Sequence, residues 1–89
     1  MGSVVVLVRG RLRPDTARAL HLHVVSCWDA GAEVVLDLRE ADLSVVDAVA
    51  QLRLEAGRRG TPLRIRQPTA QVRDLLHLCG LSASLTTTE

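Results

Sequence analysis

Three short aliphatic runs, each followed by a longer stretch with helical spacing, set the main limit on what this 89-residue chain can fold into. VVVLVRG (4–10) and AEVVLDL (32–38) are β-branched runs of strand length. TPLRIRQ (61–67) alternates Leu63 and Ile65 with Arg64 and Arg66, so one face of this third strand is expected to reach solvent. Between and after them lie RPDTARALHLHVVSCWDAG (13–31), SVVDAVAQLRLEAGRRG (44–60) and TAQVRDLLHLCG (69–80).

Each of these longer stretches carries helix signals. In the first, Pro14 and Asp15 suit a start, Gly31 suits an end, and Ala17, Leu20, Val24 and Cys27 share one face. In the second, Val45, Val49, Leu52 and Ala56 form the apolar stripe, and Gly57 and Gly60 weaken or end it. In the third, Thr69 caps the start, Val72, Leu75, Leu76 and Cys79 face the core, and Gly80 closes it. The tail LSASLTTTE (81–89) reads as a short edge strand or a frayed end.

The order β-α-β-α-β-α predicts an α/β fold: a small, mainly parallel or mixed sheet with helices packed on it. The length suits one domain over residues 1–89. No apolar run reaches the ~18 residues of a spanning helix, so the chain is expected to be cytoplasmic with no direct membrane insertion. Trp28 is the one aromatic residue, and the net charge is +1, which excludes stacking platforms and gives no electrostatic case for a nucleic-acid partner. All eleven cations are Arg, so neither a Schiff-base nor a phosphate-loop lysine is available.

Metal and cofactor motifs are also missing. No glycine cluster follows a strand, and no CxxC or HExxH spacing occurs. His21 and His23 point apart on a helix. His23 and Cys27 lie four apart and point the same way, but two ligands do not make a site. Cys27 and Cys79 are read as buried thiols in a reducing compartment. No cofactor, metal or catalytic group is expected.

The junction DLSVVDA (42–48) carries the densest polar pattern. Ser44 follows a strand and starts a helix, a position that suits a nucleophile, but no G-x-S-x-G elbow surrounds it. A triad of Ser44, His77 and an acid has no local motif behind it. The stronger reading is a capping box: Ser44 accepts from the N–H of residue 47, and Asp47 reaches back to the N–H of Ser44. Asp37, inside the second strand, is expected to help close that strand's end.

Taken together, VVLVRGRLRPDTARAL, then VVLDL, then GTPLRIRQPTAQVRDLLHLCGL resemble the STAS domain of anti-sigma factor antagonists, in order and spacing over nearly the whole chain. The resemblance implies a non-enzymatic protein-binding module. In regulatory members a D-S-S-G stretch opens the second helix, and a partner kinase, itself an anti-sigma factor, phosphorylates its second serine. Those positions fall here on Val45, Val46, Asp47 and Ala48, one place after Ser44, so Asp47 occupies the acceptor position without a hydroxyl. The implied partner is an anti-sigma factor of serine-kinase type or, alternatively, the ATPase subunit of an ABC-type lipid transporter. Subunits of the latter kind use a Thr or Ser near this helix start, which position 47 does not match. The expected contact surface is 44–48 and the exposed face of its helix, with Arg53, Arg58 and Arg59 flanking it. The family often has a strand before VVVLVRG, so the sheet is expected to be one strand short.

Overall fold

A computed structural model describes residues 2–81. Its elements are β1 (Ser3–Gly10), α1 (Pro14–Asp29), β2 (Glu33–Ala41), α2 (Val45–Arg59), β3 (Leu63–Arg66) and α3 (Ala70–Leu78). The expected α/β order is therefore present. All three strands run parallel in the order β1-β2-β3. The tail read as an edge strand or a frayed end lies outside the described residues, apart from Leu81, which is buried.

The period-two pattern of the strands decides which face is covered. Val6 pairs with Leu36 and Leu36 with Ile65, while Val34 pairs with Leu63. These side chains join one core cluster with Val24 and Trp28 of α1, Val45, Val49, Leu52 and Ala56 of α2, and Val72 and Leu76 of α3. The helices thus cover a single face. On the other, Val5 is 48% exposed and Leu7 39%.

Several details depart from expectation. β2 continues past Leu38 to Ala41, and its pairing with β1 slips between Leu7 and Arg9, where β2 carries one residue more than β1. α1 closes with Trp28, which is buried and was missed in the helical stripe; Leu20 and Cys27 are only partly buried against the core. Cys79 is exposed because α3 ends at Leu78, so the stripe does not extend to it. Both thiols are free, and neither is fully buried. Arg59 stacks over the Trp28 ring at 5.9 Å and bonds Asp29 at 2.6 Å and Glu55 at 3.0 Å, tying the C-terminal end of α2 to that of α1.

Asp37 is the buried acid of the open face. It sits in the interior of β2, where it accepts from Arg39 at 2.6 Å and from Arg66 of β3 at 3.2 Å. The Arg39 hydrogen bond and charge, with help from Arg66, hold its carboxyl well below the usual aspartate range against the opposing pull of desolvation. Its burial is shallow, since both guanidinium groups that cover it are themselves partly in water. The carboxylate therefore joins β2 to β3 instead of closing the end of a strand.

Candidate functional site

The loop after β1 and the start of α2 meet through one hydroxyl. Gly10, in the left-handed region at φ 61°, turns the chain out of β1. Two residues on, the Leu12 N–H donates to Ser44 Oγ at 2.7 Å, across 32 positions of sequence. Ser44 Oγ in turn donates to Asp42 Oδ1, and the Ser44 N–H donates to the same oxygen at 2.7 Å. These two bonds, with the nearby charge of Arg11, lower the pKa of the Asp42 carboxyl.

The capping box is not formed. Ser44 has φ −63° and ψ −16°, already helical, and its side chain bonds no N–H of α2. The first free N–H groups find short-range carbonyls instead: Val45 donates to Asp42 at 3.1 Å and Val46 to Leu43 at 3.2 Å. Asp42 accepts the bond that Asp47 was expected to accept, because its carboxylate reaches forward two residues in a tight polar turn. Asp47 is left exposed, its carboxylate making no hydrogen bond or ion pair among the described residues. By contrast, Thr69 caps α3 as expected, accepting from the Val72 N–H at 3.2 Å.

Beside this junction a groove of about 600 Å³ runs between the first half of α1 and the first half of α2. Leu12, Ala17, Leu22 and Leu52 supply apolar surface in it. Arg13, Arg18 and His21 line it from the α1 side, and Ser44, Asp47, Ala48 and Gln51 from the α2 side. Of the five candidate positions, Ser44, Asp47 and Ala48 therefore come together on the groove. Val45 is fully buried and Val46 nearly so, which fixes the helix under them.

The flanking cations also differ from those expected. Arg58 and Arg59 sit at the far end of α2, engaged with Glu55 and Asp29. The guanidinium groups at the groove are those of Arg13, just ahead of α1, and Arg18 within it, and the packing of α1 beside α2 brings them there. His77 is not among the groove residues, so Ser44 is not matched with the imidazole named for a triad. His23 and Cys27 approach to 3.9 Å, but among the described residues no group of three or more His, Cys, Asp or Glu gathers for a metal. Among them also, no helix is long and apolar enough to cross a membrane.

A three-stranded parallel sheet with helices on one face makes this a small α/β domain, with a groove beside the polar start of α2. The family described as Mlab, STAS domain, matches residues 2–87, and the chain belongs to the STAS family. Members of this family are in general regulatory or interaction domains that act through contacts with other proteins. No curated protein matches the chain.

Proposed function

We propose that the start of α2 and the groove beside it bind a partner protein in the cytoplasm, and that Asp47 sets a permanent negative charge at the position of the regulatory phospho-acceptor. The domain then acts without catalysis, as an anti-sigma factor antagonist acts on an anti-sigma factor of serine-kinase type. The observation that carries this reading is the state of the hydroxyl beside that position. Ser44 Oγ accepts from Leu12 and donates to Asp42, so although it borders the groove it is already engaged in holding two parts of the fold together. Asp47, which is presented, has no hydroxyl. A carboxylate has one charge where a phosphate has about 1.5 to 2, so it imitates the modified state only in part.

The same observation favours a second reading. A surface that no kinase resets suits a permanent subunit, such as a STAS subunit beside the ATPase of an ABC-type lipid transporter.

The test is incubation of the purified domain with the cognate kinase and ATP, followed by mass measurement and a binding titration. No phosphate is expected on the wild type. Asp47→Lys is expected to abolish binding, whereas Ser44→Ala retains it at a temperature where the variant is folded. Stoichiometric phosphate on Ser44 would falsify the proposal that the switch is fixed. A transporter ATPase that binds with the same dependence on Asp47, where the kinase does not bind, selects the second reading.

A further inference from the structure

Among the described residues the sheet ends at β1 on one side and β3 on the other, and these two edges are unequally protected. β3 has four residues, two of them Arg64 and Arg66, and lies between Pro62 and Pro68. Short length, charge and flanking proline are the features that keep an edge strand from pairing. β1 has eight residues and a single charge, Arg9, near its end. From Ser3 to Val8 it has no proline, glycine or charged side chain. Its outward side chains, Val5 and Leu7, are 48% and 39% exposed.

The direction of its backbone groups is fixed by its bonds to the β2 side. The Glu33 N–H donates to the Gly2 carbonyl at 3.0 Å, and the Asp42 N–H donates to the Gly10 carbonyl at 3.3 Å. Even-numbered residues of β1 therefore aim their backbone groups at β2. By the alternation of a strand, Ser3, Val5, Leu7 and Arg9 aim theirs at the free edge. These four are also the residues whose side chains lie on the open face.

We propose that a second copy of this chain pairs antiparallel with the free edge of β1, about a two-fold axis at Val6. This register sets Ser3 opposite Arg9 and Val5 opposite Leu7, and the reverse. It is the two-fold register that engages all four outward-facing backbones in hydrogen-bonded pairs. Because opposite residues share a face, the exposed Val5 and Leu7 of one copy meet Leu7 and Val5 of the other. Charge agrees with the arrangement. The two Arg9 side chains fall at opposite ends of the strand pair and do not meet. Each faces Ser3 of the other copy, and Ser3 is paired within its own sheet to Glu33. Arg9 and Glu33 of different copies then lie on one face, two strands or about 10 Å apart at the backbone. Among the described residues of a single chain these two groups make exposed ion pairs, Arg9 with Glu40 at 3.4 Å and Glu33 with Arg64 at 3.9 Å. No residue from Ser3 to Arg9 lines the α1–α2 groove, so the pairing goes beyond the partner reading and does not rest on it.

Sedimentation equilibrium of the 89-residue chain up to millimolar concentration tests the proposal, with amide exchange read on the same samples. The wild type is expected at twice the 9.6 kDa chain mass. In the dimer the Val5 and Leu7 N–H groups exchange slowly, and on dilution they become fast while those of Val4 and Val6 stay slow. Leu7→Lys is expected to give a monomer, as is Val5→Pro, which removes an N–H that does not serve the β1–β2 ladder. Leu54→Lys, at a position 66% exposed on α2, leaves the dimer intact. A monomeric wild type at millimolar concentration overturns the proposal. So does a dimer that survives Leu7→Lys, or one in which dilution leaves exchange at Val5 and Leu7 unchanged. The dilution readout needs only the wild type and decides the matter even where Val5→Pro does not fold.

Discussion

α2 and α3 both begin a few residues after a strand, and both have a hydroxyl residue just ahead of the first turn. Only one of the two hydroxyls caps its helix. Thr69 has an extended backbone, φ −63° and ψ 162°, and its Oγ1 accepts from Val72, three residues on. Ser44 is already helical, and its Oγ is turned back to Leu12 in another part of the fold. The first arrangement stabilises a helix end. The second gives up the cap to fix the loop before α1 against the start of α2, and so shapes one end of the groove. A local rule is set aside at the start of α2, where the groove begins.

Removal of the two hydroxyls should separate these roles. Ser44→Ala leaves the partly buried Leu12 N–H without its acceptor, a loss of about 2 kcal/mol in a urea melt. Its amide exchange is expected to quicken at Leu12 and Arg13 more than inside α2. Ser44 and Asp42 bond each other, so Ser44→Ala combined with Asp42→Ala should cost less than the sum of the single changes, by at least about 0.5 kcal/mol. Strict additivity of this pair would mean that the Ser44–Asp42 contact contributes nothing to the junction.

Thr69→Ala is the smaller change, about 1 kcal/mol, as for the loss of an ordinary cap. Its effect should stay in α3, with faster exchange at Val72. Ser44 and Thr69 share no bonding partner, and their double variant is expected to be additive within about 0.5 kcal/mol. A coupling well above that would show that the two helix starts form one unit, and the contrast between them would fail.

The same contrast explains what could be read from sequence. The Thr69 cap spans three residues, and each strand shows its pattern among near neighbours, continuous in β1 and β2 and alternating in β3, so local pattern was enough to place α3 and the three strands, though not the end of β2. The Ser44 bond spans 32 residues, and no local window holds both ends of it. One local signal was present: Asp42 stands two residues before Ser44, the spacing of a turn in which a carboxylate accepts from the chain ahead. Arg13, Arg18 and His21 were legible as helix residues but not as groove residues, because that role depends on which face of α1 meets α2. Asp37 likewise needed the β2–β3 register, which sets it beside Arg66. Cys79 was misplaced by carrying a helical stripe one residue beyond the end of the helix.

Acid should sharpen the comparison further, because the α2 start depends on a carboxylate and the α3 start does not. The pKa of Asp42 is lowered in the fold by its bonds to Ser44. A depressed carboxyl adds stability that is fully present above its unfolded value, near 3.9, and is lost as pH falls through the folded value. Asp37, with its carboxyl held lower by Arg39, acts with the same sign and over a wider range of acid pH. Denaturant melts from about pH 6 downward should therefore show stability falling below about pH 5 in the wild type. Asp37→Asn is expected to flatten this fall the most and Asp42→Asn less, since Asp42 is exposed. Thr69→Ala should shift the whole curve without changing its slope, as an uncharged cap has no proton to bind. A slope unchanged by Asp42→Asn, with faster amide exchange at Ser44 in acid also absent, would remove the ionised carboxylate from the account of how α2 begins.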